Sequence, residues 1–289
     1  MTARIADQPA EALHSASGEE QEALQPGLQR LDLIRVDRDG SRHQIERVVP
    51  DEVPVALVYN GISHVVMMAT PLDLEDFALG FSLSEGILAE PGELLDMEAE
   101  RVGDGVEVRL QITGRAFAGL KERRRNLTGR TGCGLCGVDS IDQAVRDLPP
   151  IKNDRRFAAA SIFRALDQLP SLQVLNRESR TLHAAAFCDA DGTVLALRED
   201  VGRHNALDKL IGALRRRKID PAAGFGVITS RCSSEMVQKA VAMGLPMLVA
   251  VSAPTGLAQE LADRYGLTLI GLARSDSLII VSQGWRLTS

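Results

Sequence analysis

Two apolar segments of strand length lie side by side in the first half of the chain. They span residues 53–59 and 62–68, and the dipeptide Asn60-Gly61 separates them. Because Asn and Gly both tolerate positive φ angles, this dipeptide favours the type I′ turn of a two-residue hairpin loop. The pattern therefore predicts a β-hairpin.

Helical spacing of apolar residues follows the hairpin. Thr70-Pro71 has the residue types of a cap and a first helical position, and apolar residues then recur at intervals of three and four from Leu74 until Gly86. We expect an amphipathic helix that packs behind the hairpin. Residues 106–112 then alternate between apolar and polar, which is typical of a half-buried strand.

The second half of the chain alternates strand-like runs with helical stripes. Residues 181–187 and 193–198 flank an Asp-Ala-Asp-Gly turn and predict a second hairpin. A helical stripe over residues 206–214 ends in three arginines, whose charge complements the helix dipole. This alternation is typical of a layered α/β architecture. Further apolar runs, separated by helices that start near Ser233 and Gly256, span residues 226–229, 247–251, 268–272 and 278–281.

The ends of these patterns suggest a division of the chain. Residues 1–27 are rich in Ala, Glu, Gln and Ser without sustained periodicity, which predicts a flexible tail. Leu148 is followed by two prolines that break any regular element. We therefore expect two packed α/β units, residues 28–148 and residues 149–289.

Composition narrows the class of protein. The 33 Lys and Arg against 39 Asp and Glu give a formal charge of −6, which argues against a general electrostatic grip on nucleic acid or membrane lipid. Four cysteines in 289 residues are too few for a secreted disulfide scaffold. The sequence shows neither a signal peptide nor an apolar run of about 20 residues. We expect a soluble cytoplasmic protein.

The candidate chemistry lies in the pair Cys133 and Cys136, which sits among glycines. Residues 121–130, just ahead of the pair, carry five cations and one anion. Nearby positive charge favours the thiolate over the thiol, and the thiolate is the nucleophile in sulfur exchange. The flanking glycines remove side-chain bulk, so a sulfur donor can approach closely.

Two other uses of this cysteine pair stay open on the residues alone. A thioredoxin-type redox exchange is weakened because no helical apolar stripe follows the pair, so the helix N-terminus that lowers a thiol pKa is missing. The second possibility is that the pair forms half of a structural zinc site, because one Cys-x-x-Cys supplies two ligands and zinc needs two more. The candidates for those ligands are Cys188, Cys232, His183 and His204.

Four blocks of sequence, in order, resemble the formate dehydrogenase accessory sulfurtransferases, the FdhD family. The resemblance implies a cytidine-deaminase-like layered α/β domain preceded by a smaller N-terminal α/β domain. Zinc deaminase chemistry is not expected, because no His-x-Glu occurs in the chain. The blocks are Arg130–Val138, Glu52–Gly61 running on to Gly80–Gly86, Glu199–Lys209 and Ser230–Lys239.

The resemblance also implies a function. A member of this family accepts persulfide sulfur from a cysteine desulfurase and transfers it to the bis(molybdopterin guanine dinucleotide) molybdenum cofactor destined for formate dehydrogenase. Cys133 would carry the persulfide and Cys136 would assist, in a homodimer without a structural metal. The alternative is a non-catalytic chaperone that binds the same molybdenum cofactor.

By the same resemblance, the molybdenum cofactor is bound as a substrate near the C-terminus. Two strand-to-helix junctions, in the Glu199–Lys209 block and at Ser230–Ser233, are further candidates for phosphate contacts, because helix N-termini attract anions. The stretch of this chain that matches the family's cofactor-binding segment near the C-terminus consists of Leu272, Ala273, Arg274, Ser275, Asp276 and Ser277.

Overall fold

A computed structural model describes residues 24–128 and 145–288 of the chain, without the side chains of residues 123–128. Cys133, Cys136 and all but the last four residues of the predicted tail lie outside the described residues. Among the helices within these ranges, none has the length and apolar character needed to cross a lipid bilayer.

The described chain begins with a two-stranded antiparallel ribbon, β1 (Leu28–Val36) and β2 (Arg42–Pro50). All residues of β1 after Leu28 are exposed, so the ribbon does not contribute a core of its own. The N–H of Asp51 donates to the carbonyl of Gly27 at 2.7 Å and closes its base.

A four-stranded sheet follows, and it contains the predicted first hairpin. Asn60 and Gly61 have φ angles of 46° and 80°, as a type I′ turn requires. The helices α1 (Leu74–Ser84) and α2 (Gly114–Thr128) complete this part of the chain, and the core includes Phe77 on α1. The strand order is β4-β3-β6-β5, with β3 (Val53–Tyr59), β4 (Ile62–Ala69), β5 (Leu94–Val102) and β6 (Gly105–Ile112).

The predicted start of α1 at Thr70-Pro71 is wrong. The helix begins at Leu74, and Asp73 occupies the N-cap with a left-handed backbone. Thr70 instead faces the second half of the chain, where its hydroxyl accepts the N–H of Val201 at 3.3 Å and its N–H donates to Asp200 at 3.1 Å. Thr70 therefore makes tertiary hydrogen bonds instead of the local cap that its residue type suggested.

The second half of the chain forms a six-stranded sheet in the order β13-β12-β11-β10-β8-β9, in which β10, β11 and β12 are parallel. The predicted layered α/β class is confirmed. The short strands β7 (Phe157–Ala158) and β14 (Leu287–Thr288) pair separately. The sheet consists of β8 (His183–Cys188), β9 (Val194–Asp200), β10 (Phe225–Ile228), β11 (Met247–Ala250), β12 (Thr268–Gly271) and β13 (Ile279–Ser282).

Helices cover both faces of this sheet. Strand residues alternate between two cores, so that Phe187 packs with one set of helices and Cys188 with the other. The helices α3 (Ala159–Leu172) and α4 (Val174–Ser179) precede the sheet, and α3 packs on the Cys188 face. On the Phe187 face lie α5 (Arg203–Arg216), α6 (Ser234–Met243) and α7 (Gly256–Tyr265).

The two sheets are joined through α1 and α5. A Cβ on Gly80 of α1 would overlap the backbone of Asp208, and one on Gly212 of α5 would overlap that of Asp76, so glycine permits the close crossing. Leu148 already packs against the core formed by α5, α6 and α7. The division of the chain at residue 148 stays a prediction.

Candidate functional site

A cavity of about 540 Å³ opens at the carboxyl ends of the parallel strands. Thr229, Val251 and Ala273 line it, and each lies just after the end of β10, β11 or β12. The opposite wall comes from α3 and α4. Ligands of open α/β sheets bind in this type of crevice, outside the carboxyl ends of the strands. The strand topology therefore marks the cavity as the candidate site.

The segment after β12 forms one edge of the cavity. Leu272 has a φ of 49°, an unusual backbone for a leucine, and reverses the chain directly after the strand. The N–H of Ala273 donates to the carbonyl of Ala250 at 3.1 Å, and the N–H of Arg274 donates to that of Ser277 at 2.7 Å. These bonds hold Ala273 against β11 and turn Arg274 towards solvent.

The structure brings half of the six predicted cofactor-binding residues to the cavity wall. Ala273, Arg274 and Ser275 line the cavity, whereas Leu272, Asp276 and Ser277 do not. Arg274 is exposed, and its guanidinium makes no hydrogen bond or ion pair within the described residues. An uncommitted cation at the mouth of a cavity is suited to an anionic ligand.

Several lining residues were not predicted as site residues, because they come from helices whose signal is weak in the sequence. Arg180 ends α4 with a left-handed backbone at φ 58°, and its exposed guanidinium is also uncommitted within the described chain. The apolar stripe of α3 at Ile162, Ala165 and Leu169 is the signal that would have placed this wall. The others on this wall include Leu166, Asp167, Pro170, Gln173 and Asn176.

His183 lies at the start of β8, on the floor of the cavity, and is half-buried. Burial lowers its pKa, the positive charges of Arg203 and Arg231 lower it further, and Asp200 opposes them. The imidazole is therefore neutral at neutral pH, when it offers one donor and one acceptor.

The Glu199–Lys209 block has a different role from the surface capping and charge pairing that its residue types suggest. Asp200 and Lys209 are fully buried and form an ion pair of 2.7 Å. Asn205 donates to Asp200 at 2.9 Å and to the carbonyl of Met68 at 2.8 Å. These residues tie the two sheets together and are not available to a ligand.

The N-termini of α5 and α6 lie next to each other. Nε2 of His204 is 2.7 Å from Oε2 of Glu235, and each residue is in the first turn of its helix. Ser233 occupies the N-cap of α6 but makes no capping hydrogen bond with its side chain. The Ser230–Ser233 junction thus has the geometry of a helix start. None of its four residues lines the cavity.

The two isolated cysteines lie in different cores. Cys188 belongs to the core on the α3 face and Cys232 to the core on the α5 face, and both are fully buried. Burial raises the pKa of each thiol to about 12. The two cannot join one metal site, because the sheet separates them. Within residues 24–128 and 145–288, no three His, Cys, Asp or Glu residues are grouped as metal ligands would be.

Comparison with known proteins identifies the family. The chain is 49% identical over 264 residues to a protein named Sulfur carrier protein FdhD from Variovorax paradoxus, which covers 91% of this chain and 95% of that protein. Residues 50–288 match the FdhD/NarQ family model. The chain belongs to the FdhD/NarQ family.

Two further comparisons agree with this chain in length and in fold. A Sulfur carrier protein FdhD from Cupriavidus necator is 51% identical over 239 residues, which cover 83% of each chain. A crystal structure of a putative formate dehydrogenase accessory protein from Desulfotalea psychrophila aligns with a TM-score of 0.74 at 21% identity, covering 91% of this chain and all of that one. The cavity is thus set in a fold that a solved structure shares.

Proposed function

We propose that this protein is a cytoplasmic sulfur carrier that accepts persulfide sulfur from a cysteine desulfurase and transfers it to the bis(molybdopterin guanine dinucleotide) molybdenum cofactor for formate dehydrogenase. The cavity at the carboxyl edge of the six-stranded sheet carries the proposal. Arg274 and Ser275, predicted from sequence as cofactor contacts, line it. The family's curated members are named sulfur carriers, which supports the same function.

The sulfur chemistry is assigned to Cys133 and Cys136. The Cys133 thiolate attacks the terminal sulfur of the desulfurase persulfide, the S–S bond of the donor breaks, and the desulfurase cysteine leaves as a thiolate. The Cys136 thiolate then attacks the inner sulfur of the Cys133 persulfide and expels the terminal sulfur as hydrosulfide, which is the form of sulfur that the molybdenum cofactor, as substrate, would accept as a ligand. A Cys133–Cys136 disulfide remains, and a cellular dithiol reduces it.

The cavity is assigned to the molybdenum cofactor as substrate. That cofactor carries pyrophosphate groups and flat heterocycles, and the lining combines the two matching features. Arg180 and Arg274 are uncommitted cations at its wall, while Leu166, Leu169 and Leu182 provide apolar surface. Cations attract the phosphates, and apolar surface stabilises the rings by burial.

Sulfur transfer is tested by mass spectrometry after incubation of the protein with a cysteine desulfurase and cysteine. We expect a gain of one sulfur atom that is lost in Cys133→Ala. Cys188→Ala is the matched control, because that thiol is buried, and it should load normally. Equal loading in the absence of both Cys133 and Cys136 would show that the assignment of the sulfur chemistry is wrong.

Cofactor binding is tested separately with guanosine diphosphate as a probe for one arm of the molybdenum cofactor. Arg274→Ala is expected to weaken binding about tenfold at low salt, since one phosphate contact of a cation is worth about 1–2 kcal/mol. Arg155→Ala removes an exposed arginine that does not line the cavity and should leave binding unchanged.

The alternative function is that of a chaperone that binds the cofactor without transferring sulfur. The cavity supports binding equally well in both cases, so the sulfur-loading experiment separates them. A protein that binds guanosine diphosphate but gains no sulfur from any desulfurase would be a chaperone. The homodimer implied by the family is part of the proposal, and analytical ultracentrifugation of the full chain tests it.

A further inference from the structure

The helix α2 concentrates positive charge on an otherwise acidic protein. Its residues 114–128 include five cations and one anion, a net charge of +4. Because the whole chain has a formal charge of −6, the residues outside α2 together carry a net charge of −10. A partner with an acidic surface is therefore repelled by most of this protein and attracted to α2.

Lys121 is an uncommitted cation on this helix. It is exposed, and its Nζ lies 4.2 Å from the centre of the Phe117 ring. It forms no ion pair or hydrogen bond within the described residues. By contrast, Arg216 at the end of α5, which also belongs to a run of arginines, pairs with Glu75 and Asp76 of α1. A helix cation without an internal acid is available to an acid of a partner.

The helix dipole does not account for this amount of charge. Basic residues near the end of a helix offset its dipole, which is equivalent to about half a unit charge at the C-terminus. Residues 121–125 alone carry four cations and one anion. Most of the positive charge of α2 is therefore left to act on something outside the helix.

The fold holds this charge on a rigid element. Ala116 and Leu120 of α2 are buried in the core beneath the four-stranded sheet and fix the helix there. Lys121 and Arg125 are four residues apart, so their positions follow one another along the side of the helix away from Ala116 and Leu120. A charged row on a fixed helix loses little conformational entropy when a partner binds it.

The position of α2 in the chain selects the partner. The helix ends at Thr128, five residues before Cys133. A chain advances at most about 3.6 Å per residue, so Cys133 lies within about 18 Å of the end of α2. An interface of standard size covers about 800 Å² on each partner, which is wide enough to span that distance. A protein that hands sulfur to Cys133 must therefore come close to α2.

We infer that α2 is the docking surface for the protein that donates the persulfide, which binds it through an acidic region next to its own persulfide cysteine. The inference rests on the proposed sulfur transfer to Cys133. Opposite charges raise the rate at which two proteins meet, typically by about 10-fold to 1000-fold, and salt weakens the effect. Docking of this kind speeds only the reaction with the protein donor, whereas activation of the thiolate speeds the reaction with any electrophile.

The test compares two reactions of Cys133 in the full-length protein, persulfide loading by a cysteine desulfurase and alkylation by the uncharged reagent iodoacetamide. Both are followed over time by mass spectrometry of the Cys133 peptide. For Lys121→Glu combined with Arg125→Glu, we expect the second-order rate constant of loading to fall about tenfold at low salt. Alkylation should keep its wild-type rate. At about 0.5 M salt, the difference in loading between this variant and the wild type should largely disappear.

Two further variants keep this test decisive. Lys152→Glu combined with Arg155→Glu makes the same change in net charge at two exposed positions outside α2, and it should load as the wild type does. Lys121→Glu alone changes one exposed residue and should reduce the rate constant of loading about threefold. The single variant covers the case in which the double variant on α2 lowers the melting temperature.

The outcomes separate this inference from the proposed function. If the wild type loads sulfur but the variants on α2 load equally fast at low salt, the inference is wrong and sulfur transfer stands. The inference is also wrong if alkylation slows as much as loading, since the cations then activate the thiol, or if the control outside α2 slows loading equally. Weaker binding of guanosine diphosphate by the variants on α2 would assign the cations to the cofactor instead. If no desulfurase loads the wild type, the sulfur-transfer function and the inference both fail.

Discussion

Lys239 is the cation of a buried charge cluster where α1, α5 and α6 meet. Its Nζ lies 3.0 Å from each carboxylate oxygen of Asp208, 3.0 Å from the hydroxyl of Ser84 and 2.6 Å from Oε1 of Glu85. Asp208 is fully buried and Lys239 is 5% exposed. The substitution Lys239→Met keeps the apolar length of the side chain but leaves the Asp208 carboxylate buried without its cation.

The expected cost of Lys239→Met is large. Breaking a buried ion pair by removing one partner typically destabilises a protein by about 3–5 kcal/mol, which is a major part of a total of about 5–15 kcal/mol. Burial already raises the pKa of Asp208, against the attraction of Lys239. Without Lys239 that pKa rises further, because the opposing attraction is lost.

The sign of the pH dependence follows from this shift. A carboxyl whose folded-state pKa lies above its unfolded value of 3.8 binds its proton more tightly in the folded state. The destabilising effect of this carboxyl is absent at pH values below its pKa in the unfolded state. The effect grows as the pH rises towards the pKa of the carboxyl in the folded state, by up to about 1.4 kcal/mol per pH unit. Lys239→Met should therefore be closer to the wild type in acid than at neutral pH.

Urea unfolding at about pH 5 and about pH 8 measures both effects. Lys152→Met removes an exposed lysine and serves as the control, with an expected change below about 0.5 kcal/mol. Adding Asp208→Asn to Lys239→Met should recover part of the lost stability. A loss for Lys239→Met below about 1 kcal/mol, or one that grows in acid, would refute the description of this cluster as a buried charge pair.

Two further predictions concern the helix crossing and the isolated thiols. Gly80→Ala should lower the free energy of unfolding by at least about 2 kcal/mol, because the added Cβ would overlap the backbone of Asp208. Gly119→Ala is the control, at an open position of α2. It should raise the free energy of unfolding by up to about 1 kcal/mol in the same urea assay. Burial raises the thiol pKa of Cys188 and of Cys232 to about 12, so both thiols should resist maleimide in the native protein at about pH 8 and react with it in urea. Peptide mapping of the labelled protein measures this. Rapid labelling of either cysteine in the native protein would contradict its burial.

Local patterns were sufficient to predict much of the fold. Asn60-Gly61 fixes a two-residue turn, and the apolar segments on either side of it predicted β3 and β4. The stripe over residues 206–214 predicted α5, since its apolar face is continuous over about two and a half turns. These signals work because the spacing of apolar residues follows directly from the geometry of a strand or a helix.

The missed elements lack such a spacing. In β1, charged residues lie on both faces of the strand, as Arg30 and Arg35 illustrate, so no face is apolar. The basic residues before the cysteine pair hide α2, whose contribution to the core comes mainly from Ala116 and Leu120. Thr70 shows the reverse error, because its hydroxyl, which suggested a local cap, accepts the N–H of Val201 instead.

The cavity could not be predicted as a unit, because its walls come from segments far apart in the chain and are fixed by tertiary hydrogen bonds. Glu199 on β9 accepts the backbone N–H groups of Leu175 and Asn176 at 3.0 and 2.8 Å, and so anchors the first turn of α4 to the sheet. Gln168 on α3 donates to a carbonyl of the turn between β8 and β9 at 2.8 Å. The bend between α3 and α4 is therefore fixed on both sides by bonds to β9 and to the turn between β8 and β9, and no local spacing of residues encodes such bonds.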